Sequence, residues 1–563
     1  MSFVGHLCTR TPPADLLAVE KHRIFLALKI IASGPQQESP PMHTPRCCLI
    51  NISRLRAVLL PLSLLSLAGC PGRDTAVPEV EPAALRAAVD LNAGDSVTVE
   101  LADGISATVK LLATDYQADR FRNAVRKSSA TVLINGEQAV LESGNYSLPR
   151  LVGGVRVDCP ATAALYRNTN EDRWGLDADA RIRLWPAEGK LLPEGSFGYP
   201  VDQRFLANDT QMSNEPCYVN GCEVPSAEDL YYHSGLDFGG TEGMVRVLAA
   251  TDGLVVSVGD SVLDGHKIDT PVMPRYDAVY VLDRRGWYYR YSHLHSIDRE
   301  IVPGERVGLG QQIGILGKEG GSGGWTHLHF EIRARQPSGR WGTEESYAYT
   351  HEAYLDKYAP ELIAVARPHL VASAGETLWL EGTRSWSSSG SDLEFEWLFA
   401  DGSSASGVIA ERTYSEPGTF YEALKVTGPA GNVDYDFCVV QILDSSRPEL
   451  AVPMLHVNYY PSLDLEPGRE ITFKARTFNA VRGQETWDFG DGSPVGTTSS
   501  IPCWGDASLV PDGEENILLH PQGYASITHS YARPGHYLAT VRRTSEDGVP
   551  AVARIHVAVG QGN

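Results

Sequence analysis

The chain is short of basic residues and of closely spaced cysteines, and both shortages narrow its function. Its 563 residues contain 48 Lys and Arg against 70 Asp and Glu, which gives a formal net charge of −22. Proteins that bind a phosphate backbone need a basic surface, so no nucleic-acid partner is expected. None of the nine cysteines stands in a Cys-x-x-Cys pair, and a cysteine-based zinc site is therefore not expected either.

Two signatures of other enzyme classes are also missing. The glycine-rich run 317–324 is not closed by the Gly-Lys-Ser/Thr of a phosphate-binding loop. The pair His351-Glu352 has Leu355 where a zincin helix needs its second histidine. These segments therefore predict neither nucleotide binding nor a zinc site on a helix.

Length and composition favour several β-rich domains. At roughly 150 residues per domain, the chain is long enough for three or four domains. With 42% hydrophobic and 21% charged residues it is neither collagen-like nor broadly disordered, and 54 Gly with 35 Pro are typical of many turns between short strands. The predicted fold class is mainly β.

The first seventy residues have the features of an export signal. Residues 57–69 form an uncharged apolar run of thirteen, preceded by three arginines and followed at once by Cys70. A membrane-spanning helix needs about 20 residues, so this run is too short to cross a bilayer and is typical of a secretory signal. The tetrad Leu-Ala-Gly-Cys that ends at Cys70 resembles the bacterial lipobox.

That resemblance implies that Cys70 is lipidated, becomes the mature N-terminus and anchors an exported protein to the lipid bilayer of the cell envelope. The outer membrane is the expected location, on its periplasmic or surface side. An ordinary cleaved signal, in which Cys70 has no role, is the alternative. Translation from Met42 instead of Met1 would give a signal of ordinary length. In an exported protein, Cys217 and Cys222 are near enough in sequence to form a small disulfide loop.

Changes of sequence pattern divide the chain into six segments. Apolar alternation broken by Asp-Gly at 103–104 and Asn-Gly at 135–136 indicates β-hairpins. Further on, two stretches share an aromatic strand ending in Asp-Gly and a later Tyr-x-x-Pro-Gly, at Tyr414 and Tyr531, and this internal repeat is similar to the PKD repeat. The predicted segments are a leader with a lipoprotein signal (1–70), a linker (71–84), a small N-terminal β-domain of unknown role (85–190), a domain with the histidine motifs (191–358), and two C-terminal immunoglobulin-like β-sandwiches (359–446 and 447–563).

Three histidine motifs follow one another in residues 191–358. They are His233-Ser-Gly-Leu-Asp237, Tyr291-Ser-His293-Leu-His295 and His327-Leu-His329-Phe-Glu331. If Thr326 to Ile332 is a strand, His327 and His329 point to the same side of it. Imidazole and carboxylate groups are ordinary zinc ligands, and three protein ligands leave the fourth position to water, as in catalytic zinc sites. The pattern favours a hydrolytic metal site in which one histidine binds metal and its neighbour meets the substrate.

Residues 225–335 resemble the lysostaphin/LytM-type zinc endopeptidases, which cut the peptide part of bacterial cell walls. The resemblance lies in the order of the three motifs and in the framework between them, at 249–253 and 302–314. It implies an antiparallel β catalytic domain with one Zn²⁺ held by His233, Asp237 and His329. It further implies that His293 and His327 are the catalytic pair that takes a proton from water and stabilises the oxyanion.

The chain departs from that family in two places. Residues 261–275 look like an insertion, and Gly323-Gly-Trp-Thr326 stands where the family usually has a small residue and proline before His-Leu-His. We expect these departures to alter the substrate site more than zinc binding. His295 is predicted to share a face with His293, and both His295 and Tyr291 are candidate substrate contacts.

The expected function is zinc-dependent hydrolysis of peptide cross-links in peptidoglycan, whose stem or cross-link peptides are the expected partners. One alternative is a non-catalytic member of the same fold that activates another cell-wall hydrolase. A second alternative is a surface adhesin whose PKD-like repeats bind polysaccharide or protein. Because those repeats have no obvious site, we expect them to act as spacers.

Overall fold

A computed structural model of the chain describes residues 85–121, 123–167, 169, 171–208, 231–390, 392–447, 452–481, 483–504, 510 and 515–560. The predicted leader and linker, with the predicted lipidation residue Cys70, lie outside these residues, as do Cys217 and Cys222. No helix in the described part of the chain combines the length and the hydrophobicity that a membrane crossing requires. Mostly β structure is observed, which confirms the predicted fold class.

The first described segment is a small β-domain. Its strands form two four-stranded antiparallel sheets, in the orders β1-β8-β7-β6 and β2-β3-β4-β5, around a shared apolar core. The β-hairpin predicted at Asn-Gly is confirmed, since Asn135 and Gly136 both have positive φ angles and join two paired strands in a two-residue turn. The strands are β1 (Ala87–Leu91), β2 (Ser96–Glu100), β3 (Ser106–Ala118), β4 (Val125–Ile134), β5 (Glu137–Glu142), β6 (Arg150–Val152), β7 (Val155–Thr162) and β8 (Ala180–Trp185), and a 3₁₀ turn spans Ala163–Tyr166.

The histidine motifs lie in a second β-rich segment, whose described residues include one α-helix. Eight strands form one sheet. Six of them follow the order β12-β11-β13-β14-β18-β19, and in addition β16 pairs with β11 and β9 pairs with β18. A smaller sheet has the order β10-β17-β15. The elements are β9 (Leu236–Gly239), β10 (Arg246–Leu248), β11 (Gly253–Val258), β12 (Ser261–Val262), β13 (Val279–Leu282), β14 (Tyr288–Ser292), β15 (Leu294–Ile297), β16 (Arg306–Val307), β17 (Gln312–Leu316), β18 (His327–Arg335), β19 (Trp341–Glu344) and α1 (Tyr347–Tyr358).

Helix α1 packs its aromatic residues on the sheet. Tyr347, Tyr349 and Tyr354 are buried in the core that also contains Leu328 and Phe330 of β18. The helix ends at Ala359, which adopts a left-handed conformation and whose backbone N–H donates to the carbonyl of Leu355. The core therefore lies on the side of β18 that faces away from the histidines.

A buried ion network joins the N-terminal β-domain to this segment. Arg183 of β8 pairs with Asp158 at 2.5 Å and with Glu344 of β19 at 2.8 Å, and Arg86 also pairs with Glu344. Burial opposes ionisation of Glu344, but Arg86 and Arg183 lower its pKa to about 2. Because removing one member would leave a buried charge unpaired, the network fixes the two segments to each other.

The C-terminal segments are two β-sandwiches that share a sheet. The sheet runs in the order β21-β28-β27-β35-β34-β31-β32, and the parallel pairing of β27 with β35 joins the two sandwiches into one sheet, which the sequence did not lead us to expect. The strands are β20 (Leu362–Ile363), β21 (Leu370–Ser373), β22 (Thr377–Glu381), β23 (Trp386–Ser387), β24 (Glu394–Leu398), β25 (Ser404–Ser406), β26 (Ile409–Thr413), β27 (Gly418–Thr427), β28 (Val433–Leu443), β29 (Met454–Tyr460), β30 (Ile471–Phe478), β31 (Glu485–Asp488), β32 (Gly496–Thr498), β33 (Ala525–His529), β34 (Gly535–Thr544) and β35 (Pro550–Val559).

Candidate metal and catalytic centre

Strand β18 is the element on which the site is built. It alternates between the core and the site, since Leu328, Phe330 and Ile332 are fully buried in the core while His327 and His329 lie on the other face. Its partner β9 places Asp237 directly opposite His329. Residues opposite each other on antiparallel strands point to the same face, so the pairing alone brings the carboxylate to the imidazole.

Three side-chain atoms converge beside β18. His329 Nδ1 lies 2.8 Å from Asp237 Oδ1, and His233 Nε2 lies 3.2 Å from each of these two atoms. Zinc ligands at roughly 2.0–2.1 Å from the metal and at the corners of a tetrahedron stand about 3.3 Å apart. Two imidazole nitrogens and one carboxylate oxygen at these separations therefore fit Zn²⁺, both in chemistry and in spacing.

Burial and neighbouring charges set the protonation of this group. Burial opposes ionisation of Asp237, but His233 and His327 hold its pKa well below the ordinary value. Burial lowers the pKa of His329 to about 4, although Asp237 acts in the opposite direction. At neutral pH, His329 is therefore a neutral imidazole beside an ionised carboxylate, and metal binding requires both groups in these charge states.

His293 and His327 form a second pair next to the first group. Their ring centroids are 4.6 Å apart, and the centroid of His293 is 6.1 Å from that of His329. His293 follows the last residue of β14 and has a φ of 68°, which ends the strand and breaks its alternation. This left-handed turn places His293 against His327.

Both rings of the pair are held at Nδ1 by backbone carbonyls. Trp325 O lies 3.2 Å from His327 Nδ1, and Glu319 O lies 2.6 Å from His293 Nδ1. A carbonyl only accepts hydrogen bonds, so Nδ1 of His327 carries a proton and the neutral His327 ring has its lone pair at Nε2. Burial lowers the pKa of His327 to about 4 and also lowers the pKa of His293, so both rings are neutral at pH 7.

An arginine–aspartate pair supports His293, and sequence reasoning missed it. Asp277 accepts a hydrogen bond of 2.8 Å from the backbone N–H of His293, and its carboxylate is 3.5 Å from His293 Nδ1. Arg275 binds both oxygens of Asp277, and its Nη2 lies 3.1 Å from His293 Nδ1. Burial raises the pKa of Asp277, but the hydrogen bonds from His293 and Arg275 lower it by more. Because Arg275 is the last residue of the apparent insertion, no motif spacing pointed to either residue.

A buried carboxylate supports the loop that carries His233. Glu331 Oε1 accepts hydrogen bonds from Ser234 at 3.1 Å and from Thr343 at 2.7 Å. Burial would raise the pKa of Glu331, but Arg333 and other positive neighbours lower it to about 2. The period-two spacing of His327, His329 and Glu331 was the available signal, since it places all three on one face of β18.

The predicted substrate contact at Tyr291 is wrong, and so is the face that His295 was predicted to share with His293, while a substrate contact at His295 stays a prediction. Tyr291 is fully buried in the core, and its hydroxyl accepts a hydrogen bond of 2.8 Å from the backbone N–H of Ala250. His295 does not share a face with His293, because the left-handed turn at His293 interrupts the strand. Its side chain is 48% exposed, and its Nδ1 lies 3.8 Å from Glu242 Oε1.

Glu242, His295 and Glu319 form another group of potential metal ligands among the described residues. However, the buried ammonium group of Lys318 already donates to Glu242. In addition, Tyr276 donates to Glu319 Oε2 at 3.1 Å. A divalent cation here would meet a positive charge on one of its own ligands, so we assign no metal to this group.

Comparisons with known proteins match three parts of the chain to protein families. Residues 231–340 match peptidase family M23, and residues 359–441 and 455–556 each match the PKD domain. The chain thus contains an M23 peptidase domain and two PKD domains, which confirms the resemblances to the LytM-type peptidases and to the PKD repeat.

Solved structures that resemble the chain include a mutant catalytic domain of the prophage-encoded M23 protein EnpA from Enterococcus faecalis, 24% identical, covering 21% of this chain and 80% of that chain with a TM-score of 0.15. The match to fibronectin(III)-like modules of Clostridium thermocellum CbhA is 11% identical and covers 36% of this chain and 94% of that chain, with a TM-score of 0.13. The match to Helicobacter pylori Csd3 in its orthorhombic crystal is 12% identical and covers 43% of this chain and 80% of that chain, with a TM-score of 0.18.

Proposed function

We propose that this chain, with its M23 peptidase domain and two PKD domains, is a zinc-dependent endopeptidase that hydrolyses peptide cross-links of peptidoglycan. The observation that carries the proposal is the convergence of His233, Asp237 and His329 on one point, with two neutral histidines beside it. A structural zinc site would need four protein ligands, whereas three ligands with adjacent bases suit hydrolysis.

His233, Asp237 and His329 would hold the metal, and Zn²⁺ when bound supplies Lewis acidity and lowers the pKa of water to about 7. His293 and His327 are the residues that accept a proton from water and stabilise the negative charge of the oxyanion. His327 accepts the proton of the attacking water at Nε2, and His293, when it carries a proton at Nε2, donates a hydrogen bond to the developing oxyanion. Asp277, 3.5 Å from His293 Nδ1, favours a proton on His293, whereas burial of the ring and Arg275 oppose its positive charge.

The location of the protein is part of the proposal. An M23 domain acting on peptidoglycan must lie outside the cytoplasm. The lipobox-like tetrad at Cys70 would deliver it there and tether it to the envelope bilayer. The PKD domains are candidates for binding a protein or a polysaccharide.

The alternative of a non-catalytic activator has less support. Members of that kind usually lack some of the five site residues, whereas all five are present in this chain and lie together. The adhesin alternative concerns the PKD domains and is compatible with peptidase activity in residues 231–340.

Substitution of one ligand and of one base separates metal binding from catalysis. We expect Asp237→Ala to lose zinc and activity together, because the metal loses its one anionic ligand. We expect His327→Ala to keep zinc and to lose turnover, since His327 is not one of the three ligands and its Nε2 lies 3.6 Å from Asp237 Oδ2. Zinc content and cleavage of purified peptidoglycan are measured on both. Retained cleavage by Asp237→Ala would overturn the proposed mechanism.

A further inference from the structure

Residues 324–326, which precede strand β18 of the peptidase domain, pack into the second PKD domain. Trp325 is only 7% exposed and lies in an apolar core that is otherwise formed mainly by the second PKD domain. Its ring stacks on Phe478, with a centroid distance of 4.4 Å and an interplanar angle of 18°, and its centroid is 4.6 Å from that of His456. The tryptophan that stands out in the sequence before His-Leu-His is thus a core residue of the second PKD domain.

The backbone on both sides of Trp325 is also bound by the second PKD domain. Arg476 donates to the carbonyl of Gly324 at 3.0 Å, and the N–H of Thr326 donates to the Tyr524 hydroxyl at 3.2 Å. Asn458 donates to the Thr326 hydroxyl at 3.3 Å. Each residue from 324 to 326 therefore has a partner in the second PKD domain.

This segment holds the catalytic ring of His327. Trp325 O accepts the hydrogen bond from His327 Nδ1 at 3.2 Å, which leaves the lone pair at Nε2. The Thr326 hydroxyl donates to Gly240 O, and Gly240 N–H donates to Thr326 O at 3.3 Å, which fixes the same segment to the end of the strand that carries Asp237. A shift of residues 324–326 would move the carbonyl that sets the orientation of His327.

We propose that the second PKD domain completes the peptidase site. Its residues Tyr524 and Asn458 bind Thr326, and its apolar core holds Trp325. These contacts fix the carbonyl of Trp325 in the position that orients His327. Tyr524, Asn458 and Trp325 are thus positioning residues, and the second PKD domain is not a spacer. This inference rests on the proposed peptidase function, in which His327 acts on water or oxyanion.

The test uses the full chain, purified in detergent with one equivalent of zinc, and a soluble cross-linked peptide from peptidoglycan as substrate. Tyr524→Phe removes the acceptor of the Thr326 N–H, and we expect kcat to fall roughly fivefold to tenfold with KM and zinc content unchanged. Trp325→Ala should reduce kcat further, by about 100-fold, and Trp325→Phe should restore most of the loss because it keeps the stacking on Phe478.

A matched control is available in the same domain. The Tyr537 hydroxyl donates to the backbone carbonyl of Arg533 at 2.8 Å and not to residues 324–326, so Tyr537→Phe should keep the wild-type kcat. Wild-type kcat in Tyr524→Phe would overturn the inference even if Trp325→Ala fails to fold. A rise of kcat would also overturn it, because the domain would then cover the site instead of supporting it. A wild-type chain that cleaves no peptide with zinc would instead refute the proposed function.

Discussion

Replacing Gly235 by alanine perturbs the candidate metal site without touching a ligand. Gly235 lies between the two ligands of the first motif and has a φ of 86°. A Cβ at this position would stand 2.7 Å from the carbonyl oxygen of Phe330 on β18, whereas ordinary contact begins at 3.4 Å. Alanine therefore costs about 1 kcal/mol for the left-handed conformation and forces β9 away from β18 by several tenths of an ångström.

That displacement acts directly on the ligands. His233 and Asp237 move with the glycine, whereas His329 stays on β18, so ligand separations of 2.8–3.2 Å would widen toward about 4 Å, beyond what bonds of roughly 2.1 Å can span well. We expect zinc affinity to fall about 10-fold to 100-fold, as for other losses of ligand support, with a matching loss of peptide cleavage. Competition with a chromogenic zinc chelator measures the affinity.

Gly265→Ala is the matched control for this experiment. Gly265 has a φ of 90° and no atom within 4 Å of its added Cβ, so it has the same conformational cost without the clash. Its zinc affinity should stay at the wild-type level. Equal zinc affinities for Gly235→Ala and Gly265→Ala would refute the argument that close packing of β9 on β18 sets the ligand spacing.

Two further outcomes are expected. Asp277→Asn should lower kcat about tenfold with zinc content unchanged, because Arg275 loses its counter-charge beside His293; steady-state kinetics and metal analysis check this, and an unchanged kcat would rule out a supporting role. Burial lowers the pKa of His351 to about 4. Between pH 6.5 and pH 4, His351 is therefore protonated in the unfolded chain but not in the folded chain. The free energy of unfolding then falls as the pH falls, by about 1.4 kcal/mol per pH unit. Urea unfolding of the metal-free protein at pH 7 and pH 5 measures this, and His351→Gln should reduce the difference; an undiminished difference would contradict the assignment.

Regular strands made part of the site predictable. In β18 the alternation of side chains is strict, so the spacing of His327 and His329 was enough to place both on one face, and the antiparallel partner supplies Asp237 opposite His329. The mainly β class and the PKD repeats followed in the same way from turn residues and strand endings.

Irregular backbone and contacts between distant segments were not predictable. The positive φ of His293 reverses the side on which the next residues lie, and His295 was misplaced for that reason. Arg275 and Asp277 have no spacing that marks them, because they act through a turn. Trp325 looked like a local change in the substrate site, but its partner Phe478 is more than 150 residues away in sequence.

Digestion of purified peptidoglycan by residues 71–563, with and without a zinc chelator, tests the central claim most directly. Mass analysis of the products identifies which bond is cut. We expect peptide cross-links to be cleaved only when zinc is available, with cleavage restored when zinc is added back to the chelated enzyme. Cleavage that persists after complete zinc removal, or intact cross-links in the presence of zinc, would contradict the proposed function.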